Sequence, residues 1–542
     1  MTETTPASSP PSRQRPTNEA APAEGTAPAE EAAPAEGTVP VEDFTTSAPG
    51  DGGGTWSGLR PLLLRLHFYA GVLIGPFLLV AAVTGLLYTA TPQIESVVHR
   101  HELKVTPRGE PKPLTAQVDA AREAVPGGRL VSVTKGAGAD DTTRVGFEVE
   151  GLPEGRTQTV FVDPYDAEVR GTLRTTGEWL PVRAWFDDLH RTLNLGDFGR
   201  NYSEIAASWL WVEVIGGVAL WLGAPRSRER LRGLFVPRRG PKGRRRTLSW
   251  HGAVGLWVSI GFLALSATGL TWSAHAGATI GRLQDSLGGA TPSVSSALDH
   301  GTHDSSAEAE AKAKAGAGVG AGVGAGAGPG GSAADSPTGS PTDSPATKVD
   351  LDEAVRIAHS EGLRGKLVIT PPTDTGSAYV VRENTRHWPE QQDSIAIDPA
   401  TGEVTDKLLF DDFPVLAKLT RWGIDAHMGL LFGPANQIVL ALIAVALIGM
   451  LFWGYRMWWL RRPTRAGGTR FGRPPVRGAW RRVPGRVMAP FVVVAAVLAH
   501  CLPLFGLPLV CFLLVDLTVA QVRRRERVRF EAHAGTSKEM GR

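Results

Sequence analysis

Cysteine is nearly absent from this 542-residue sequence, because only Cys501 and Cys511 occur, both within one apolar stretch. Two cysteines cannot build a disulfide scaffold, an iron–sulfur cluster or a cysteine-ligated zinc site. A strong net charge is also lacking, since 57 Lys and Arg oppose 54 Asp and Glu to give +3. This balance indicates no nucleic-acid partner. No apolar segment lies close to Met1, so we expect no cleavable signal peptide.

Long apolar runs, in contrast, are abundant. Four of them have about the 20 residues that cross the hydrocarbon of a bilayer, namely 66–90, 205–222, 251–273 and 436–459. A fifth run, 487–520, carries Pro503, Gly506 and Pro508 near its middle, which indicates two short helices joined by a turn. The sequence therefore predicts an α-helical integral membrane protein with a four-helix core and a C-terminal helical hairpin, embedded in a lipid bilayer.

Arginine-rich segments between these runs predict the orientation in the membrane. Segment 226–246 carries ten Lys or Arg residues, segment 461–486 carries nine, and segment 523–529 reads RRRERVR. Short basic loops face the cytoplasm. All three segments agree if both termini are cytoplasmic and if 91–204 and 274–435 lie outside the cell membrane.

The two outer segments each show the pattern of a small α+β domain. In the first, a helix-like stretch precedes short strands that meet at Asp163-Pro164, and in the second the same order leads to Asp398-Pro399. Residues 288–347 of the second are rich in Gly, Ala, Ser and Pro and are typical of a flexible linker. We therefore expect two separate extracytoplasmic α+β domains.

These patterns divide the chain into eleven segments. They are a disordered acidic tail (1–55), a first membrane helix (60–92), a first outer domain (93–204), a second membrane helix (205–224), a basic loop (225–249), a third membrane helix (250–274), a second outer domain (275–435) that contains the linker 288–347, a fourth membrane helix (436–460), a second basic loop (461–486), the helical hairpin (487–520) and a basic tail (521–542). The tail at the N-terminus is too polar to bury a core.

The two halves of the chain share a series of motifs at matching positions, which predicts a tandem repeat. The matching positions are His67 with His251, Gly71 with Gly255, Thr84-Gly85-Leu86 with Thr268-Gly269-Leu270, and Asp188-Leu-His190 with Asp425-Ala-His427. The separation of the two histidines is 123 residues in the first half and 176 in the second. The linker insertion explains most of this difference.

The four repeated histidines form one pair near each membrane face. His67 and His251 start outward-running helices at the cytoplasmic face, whereas His190 and His427 precede inward-running helices at the outer face. A single interfacial histidine is commonly just a polar residue, but two imidazoles from neighbouring helices are what axial ligation of a b-type haem requires. We therefore predict one or two haem b groups with these ligands. His275, without a repeat partner, is a substitute outer ligand.

Other polar residues near these histidines have candidate roles around a haem. Asp188 and Asp425 are predicted either to hold the second ring nitrogens of the outer histidines or to cap the following helices. Arg191 and Arg421 are candidates to pair with haem propionates. Glu213 is the one acid inside the four predicted core spans, so it either contacts a ligating histidine, carries a proton or makes a structural hydrogen bond.

These motifs resemble those of the bacterial PepSY-associated transmembrane proteins, which include iron-regulated inner-membrane proteins and ferric-siderophore reductases. The similarity covers about residues 60–462 and includes LHFYAGVLIGPFLLVAAVTGLLY, VDPYDAEVRG, DLHRTL, SWHGAVGLWVSIGFLALSATGLTWS, IDPATGEV and DAHMGLLFG. The resemblance implies four core helices, two extracytoplasmic PepSY domains and, in the reductase branch, haem held by histidines. The acidic tail, the linker insertion and the C-terminal hairpin depart from the simplest family pattern.

The first interpretation is a haem-containing electron-transfer protein in a bacterial cell membrane that reduces ferric chelates such as siderophores at its outer face. Two other functions stay open beside it. No nicotinamide or flavin motif occurs in a suitable context, so an unidentified protein or the quinone pool would donate the electrons. The main alternative is a non-enzymatic PepSY module that binds ligands, signals or regulates a peptidase. The third is a transporter of iron chelates, although the spans contain few polar groups to line a path.

Overall fold

The computed structural model describes residues 55–223, 232–238, 240–298, 348–460 and 483–539. The predicted N-terminal tail, most of the linker 288–347 and most of the basic loop 461–486 lie outside the described residues. The remaining predicted segments can be compared with the structure.

The described chain alternates membrane-length helices with groups of short helices and strands. Its helices are α1 (Thr55–Tyr88), α2 (Thr91–Val98), α3 (Arg100–Leu103), α4 (Leu114–Ala124), α5 (Pro181–Thr192), α6 (Gly196–Leu222), α7 (Arg232–Phe235), α8 (Gly243–Thr271), α9 (His275–Ser286), α10 (Leu351–Ser360), α11 (Val415–His427), α12 (Gly433–Trp459), α13 (Gly485–Cys501) and α14 (Pro503–Glu539). Its strands are β1 (Arg129–Lys135), β2 (Thr143–Glu148), β3 (Arg156–Val162), β4 (Val169–Thr176), β5 (Leu367–Thr370), β6 (Tyr379–Glu383), β7 (Ser394–Ile397) and β8 (Val404–Leu408).

Five of the described helices are long and apolar enough to cross a membrane. The membrane-length stretches are Gly58–Tyr88, Gly196–Leu222, Gly243–Thr271, Gly433–Trp459 and Pro503–Val522. A helix of 27 residues is about 40 Å long, which exceeds the ~30 Å of bilayer hydrocarbon. The chain is therefore a multi-pass membrane protein. The apolar helix α13, with 17 residues, is shorter than the other five.

Four of these helices form a bundle in which each contacts two neighbours, α1 against α6 and α12, and α8 against the same two. Helix α14 packs on α6, where the ring of Phe505 lies 5.2 Å from that of Trp209 and 5.8 Å from that of Trp211. Arg65 of α1 also pairs with Asp516 of α14. The helix α14 continues to Glu539, so most of the predicted basic tail 521–542 extends the last helix.

One antiparallel sheet of eight strands joins the two outer segments, in the order β4-β3-β2-β1-β5-β6-β7-β8. The join is the β1–β5 pair, in which Thr134 lies opposite Val368. This differs from the expected two separate domains. The physical reason is that β1 and β5 would otherwise expose unpaired backbone hydrogen-bonding edges, and pairing them removes both edges.

Helices α4 and α10 cover one face of the sheet and form the core of the outer region with it. Their buried apolar residues pack on strand residues such as Val133, Phe147, Ile369 and Ile395. The contact also crosses the two outer segments, since the carboxylate of Asp352 on α10 accepts hydrogen bonds from the first backbone N–H groups of α4. These bonds satisfy donors that a helix N-terminus leaves without partners.

The turns at the two Asp-Pro motifs have the same geometry. Asp163 Oδ1 accepts from the backbone N–H of Tyr165 at 2.9 Å, and Asp398 Oδ1 accepts from that of Ala400 at 2.8 Å. Each turn joins the last two strands of its outer segment, β3 to β4 and β7 to β8. Such carboxylate-to-backbone bonds favour a tight turn.

The bundle has two distinguishable ends. Helices α1 and α8 end, and α6 and α12 begin, at the end that we call the sheet side, because the chain enters and leaves the sheet there. The opposite end, to which the arginine-rich segments 226–246 and 461–486 connect, is called the basic side.

Candidate functional site

The sheet-side pair consists of His190 at the end of α5 and His427 at the end of α11. Their ring centroids are 6.5 Å apart and the rings are inclined by 53°. The Nδ1 atom of His190 lies 2.8 Å from Thr84 Oγ1, and that of His427 lies 2.6 Å from Thr268 Oγ1. The repeated Thr-Gly-Leu motifs of α1 and α8 therefore hold the two rings in the same way.

Burial favours the neutral form of both sheet-side rings. Burial lowers the pKa of His427 to about 3, and the adjacent His190 contributes to that shift. Burial likewise lowers the pKa of His190 below its usual value. A neutral imidazole has a ring nitrogen lone pair, which is the form that binds a metal.

The basic-side pair consists of His67 on α1 and His251 on α8. Their ring centroids are 6.2 Å apart, with an angle of 71° between the rings. His67 Nδ1 lies 2.8 Å from Glu213 Oε2 on α6, and His251 Nδ1 lies 3.2 Å from the backbone oxygen of Met450 on α12. Helices from both halves of the chain thus support this pair as well.

The acceptors fix the same tautomer in three of the four histidines. The hydroxyls of Thr84 and Thr268 donate to carbonyls one turn earlier, at Val80 (2.8 Å) and Ala264 (2.7 Å), so each hydroxyl oxygen accepts from Nδ1–H. On the basic side the Met450 carbonyl accepts from His251 Nδ1–H, whereas the Glu213 carboxylate lies 2.8 Å from His67 Nδ1 as an ion-pair contact without hydrogen-bond geometry. Within the described part of the chain, none of the four Nε2 atoms has a hydrogen-bond partner. The Nε2 lone pairs of His190, His251 and His427 are therefore available to a metal.

Glycines on neighbouring helices give two of these rings their space. A Cβ atom at Gly85 would lie 3.1 Å from Cε1 of His190, and one at Gly217 would lie 3.0 Å from Cε1 of His67. At Gly269, which matches Gly85 in the repeat, the Cβ would lie 3.7 Å from the His427 ring. The helix backbone thus approaches the rings more closely at two of these glycines than at the third.

Each histidine pair opens into a largely apolar cavity of the bundle. The cavity beside the sheet-side pair has a volume of about 180 Å³, and the one beside the basic-side pair about 360 Å³. Three leucines, Leu78, Leu210 and Leu447, line both cavities. A thin apolar layer therefore lies between the two.

The spacing of the rings suits one metal ion between each pair. With a metal–nitrogen bond of about 2.0 Å and a ring centre about 1.1 Å behind the nitrogen, two opposed imidazoles have centroids about 6 Å apart. The observed separations of 6.2 and 6.5 Å agree with this value. No group of three or more His, Cys, Asp or Glu side chains in the described ranges could hold an ion by itself. A metal bound here needs further ligands, which a porphyrin supplies.

The predicted roles of the two aspartates were wrong. Asp188 accepts from Arg156 at 2.7 Å, and the fully buried Asp425 accepts from Arg386 Nε at 2.8 Å, whereas the threonines hold the histidine rings. The following helices α6 and α12 also have no side-chain cap. Each carboxylate instead pairs with an arginine from a strand or the loop after one, because a guanidinium offers a stronger charged partner than a neutral ring.

The other predicted residues lie at different distances from the pairs. Arg191 lines the sheet-side cavity and pairs with Asp187 at 3.2 Å. Arg421 lines a neighbouring cavity. His275 is exposed, its Nε2 lies 3.2 Å from Asn201 Oδ1, and it does not line the sheet-side cavity. His275 is therefore not brought to the pair.

Sequence reasoning missed several contacts. Thr84 and Thr268 were visible as part of the repeat but had no role assigned, although their match beside the histidines was the signal. Trp272, whose ring centroid lies 5.4 Å from that of His427, gave no signal. Neither did the backbone oxygen of Met450, because a carbonyl contact does not depend on residue type.

Comparison with known proteins finds one protein family whose sequence model covers the histidine pairs and the sheet. The family model of the PepSY-associated TM region matches residues 64–461. This range contains all four paired histidines, their acceptors and the whole sheet, and it ends before α13 and α14. No curated protein matches the chain.

Proposed function

Because this chain belongs to the family of PepSY-associated transmembrane proteins, we propose that it is a haem-containing electron-transfer protein that reduces ferric chelates on the sheet side. The observation that carries the proposal is the state of the four histidines. Each has an acceptor beside Nδ1 and an Nε2 atom without a hydrogen-bond partner in the described residues.

The residues present fit haem b at both pairs. His190 with His427, and His67 with His251, have ring separations suited to one metal ion, and the described residues offer no third ligand there. Bound haem supplies an iron that changes between Fe(III) and Fe(II), which is the chemistry that a one-electron reduction requires. Two imidazoles holding one haem iron would leave it no site for oxygen, so the group would serve electron transfer.

The remaining groups of the bundle orient the ligands and exclude water. The threonine hydroxyls, Glu213 and the Met450 carbonyl hold each ring in one orientation, as acceptors beside metal-bound histidines do. The shared leucine layer provides no polar group for an ion or a proton to follow between the two cavities. Arg191 lines the sheet-side cavity and is the proposed partner of a haem propionate.

The orientation and the repeat belong to the same proposal. The arginine-rich segments on the basic side support an orientation with that side and both termini in the cytoplasm of a bacterial cell and the sheet outside. We assign the two outer segments as PepSY-like units of a tandem repeat. The support is the mirrored strand order, the matching turns at Asp163 and Asp398, and the equivalent threonine–histidine contacts.

The reaction on the sheet side is a one-electron reduction. Chelated Fe(III) gains one electron and becomes Fe(II), which oxygen ligands bind less strongly, so the iron leaves the chelate. The electron comes from a quinol of the membrane or from a reduced protein on the basic side. Neither donor is part of the described chain.

An absorption spectrum tests this proposal directly. The full chain is expressed with ample haem, purified in detergent, and recorded before and after reduction with dithionite. We expect the sharp visible bands of a six-coordinate b-type haem and, by pyridine haemochrome assay, two haems per chain. A protein without haem bands, purified from cells that load a control haem protein fully, would contradict the proposal.

A further inference from the structure

A third open cavity lies on the sheet side, between the sheet and the bundle. Its volume is about 590 Å³, and its walls come from β6, α9, α11 and the end of α8. It shares Arg200, Trp272 and Ser273 with the cavity of His190 and His427. A molecule in this third cavity would therefore be separated from His427 by little more than the indole of Trp272.

The charged side chains that line this cavity are mostly cationic. They are Arg200, Arg382, Arg386 and Arg421, against one described lining carboxylate, Glu178. That carboxylate is already engaged by Lys366 at 2.6 Å, with Arg382 at 3.9 Å. Three carboxylates, Glu178, Glu390 and Asp425, oppose the four arginines and Lys366, so positive charge remains in excess at the wall. A cleft with low-dielectric walls concentrates such a field.

Two of the arginines keep hydrogen-bond donors for a ligand. Arg421 uses Nε to bond Glu390 at 2.8 Å, and its terminal nitrogens have no acceptor among the described residues. Arg386 bonds Asp425 through Nε and one terminal nitrogen, which leaves the other without a described acceptor. Because both are anchored by buried carboxylates, their guanidinium groups are held in place before a ligand arrives.

We propose that this cavity binds the ferric chelate as an anion, with carboxylate or catecholate oxygens against Arg382, Arg386 and Arg421. This inference rests on the proposed reductase function and specifies its substrate class. A carboxylate accepts two parallel hydrogen bonds from a guanidinium, whereas a neutral hydroxamate chelate offers no such charge. Bound there, the chelated Fe(III) receives one electron from the sheet-side site and leaves as Fe(II).

Equilibrium dialysis with a redox-inactive analogue tests the site separately from electron transfer. The probe is Ga(III) citrate, in which Ga(III) has the charge and coordination of Fe(III) but accepts no electron under these conditions. Free citrate and a neutral Ga(III) trihydroxamate are the comparison ligands for the detergent-purified full chain. We expect Ga(III) citrate to bind at least ~10-fold more tightly than the neutral chelate, with affinity that falls as salt rises.

Single arginine variants locate the binding. Arg382→Gln and Arg421→Gln each remove one charge from the wall, and each should weaken Ga(III) citrate binding about tenfold, the loss of roughly one charge-assisted hydrogen bond. Arg356→Gln, on the exposed surface of α10, is the matched control and should bind as the unmodified chain does. Arg382 is 41% exposed, so its variant remains informative if Arg421→Gln fails to fold.

Haem content, measured on the same samples, separates this proposal from the proposed function. If the chain holds haem but binds both gallium chelates equally, or if the arginine variants bind like the control, the anion site is wrong. If Arg421→Gln loses haem while the unmodified chain binds no gallium citrate, the arginines hold propionates and the site is also wrong. Binding of gallium citrate by a chain without haem would support the anion site and overturn the reductase.

Discussion

The two histidine pairs have nearly the same ring spacing but different surroundings. On the sheet side both Nδ1 atoms face threonine hydroxyls, whereas on the basic side one faces the carboxylate of Glu213 and the other a backbone carbonyl at Met450. Glu213 and Met450 lie 23 residues after His190 and His427 respectively (213 − 190 and 450 − 427), so they stand at matching positions of the two halves of the sequence. The two halves therefore differ at one position that touches the basic-side pair.

This difference teaches how a repeated scaffold can hold two unequal sites. A carboxylate beside one ligand stabilises the more positive, oxidised iron, and a neutral hydroxyl does so less. In the proposed function the basic-side site therefore has the lower reduction potential of the two. That order favours delivery of electrons toward the sheet side, where the cationic cavity lies.

The largest expected effect comes from removing one ligand of each pair. His67→Ala should lose the haem of the basic-side pair and His190→Ala that of the sheet-side pair, so each variant retains about one haem per chain, because one imidazole leaves the iron without its second axial ligand. The double variant should retain none. A pyridine haemochrome assay measures the ratio.

The exposed His387 provides the matched control, and His387→Ala should retain both haems. An unchanged ratio in either single ligand variant would show that the corresponding pair is not the haem site. The absorption maxima of the two single variants should differ if the two environments differ as the structure describes.

The next prediction compares the rates of haem loss caused by substitutions at two matching glycines on the sheet side. Gly85→Ala places a methyl group 3.1 Å from the His190 ring, whereas Gly269→Ala leaves 3.7 Å to the His427 ring. Overpacking of this kind costs about 1–3 kcal/mol, so Gly85→Ala should speed haem loss roughly tenfold or more, and Gly269→Ala should change it little. The rate of haem transfer to an excess of a haem-scavenging protein measures this, and equal rates for the two variants would contradict it.

A smaller effect is expected from neutralising the carboxylate of the basic-side pair. Glu213→Gln keeps the shape but removes a charge, worth about 1–3 kcal/mol at this range, or ~40–130 mV for one electron. The lower of two midpoint potentials should therefore rise toward the higher one. A spectroelectrochemical titration of the purified protein measures both.

Two controls define that shift. Met450→Leu keeps the backbone carbonyl beside His251, and Thr84→Val removes a hydroxyl without changing charge, so both should shift a potential by less than Glu213→Gln does. A lowered potential, or no shift, in Glu213→Gln would remove the argument that this carboxylate orders the two sites.

Much of the membrane part could be predicted from sequence. Apolar runs of the right length indicate spans whatever their neighbours are, because the bilayer sets the length. The matching positions of His67 and His251, and of His190 and His427, likewise indicated two pairs before any contact was known. The partners of the ring nitrogens were not predictable in the same way, since both an aspartate and a threonine lie at matching repeat positions near each outer histidine.

The outer region shows what sequence patterns leave out. Alternating hydrophobicity predicts a strand, but it does not say which strand lies beside it, and the β1–β5 join pairs residues such as Thr134 and Val368 that are 234 positions apart (368 − 134). The cationic cavity could not be predicted from the sequence for the same reason. Arg382 and Arg421 belong to different elements and meet only because the sheet is continuous.

The last expected effect appears only in acid and concerns that join, which supports the sheet-side pair but not the basic-side pair. Glu178 lies between the two outer segments and contacts Lys366 and Asn384. Burial by itself would raise the pKa of the Glu178 carboxyl, but Lys366, Arg382 and Arg144 outweigh burial and lower that pKa to about 2.

Since the folded-state pKa lies below the ordinary value of 4.5, this carboxylate stabilises the fold above pH 4.5, and the stabilisation is lost as the pH falls from 4.5 toward 2. The loss is on the order of 2–3 kcal/mol. Acid should therefore release haem from the sheet-side pair before the basic-side pair. Absorption spectra of His67→Ala, which keeps the sheet-side haem, and of His190→Ala, which keeps the basic-side haem, recorded between pH 5 and 3, measure the two releases separately. Glu178→Gln should reduce that difference, whereas Glu361→Gln, in a surface pair with Lys407, should preserve it. Simultaneous release from both pairs would show that the sheet does not support one pair more than the other.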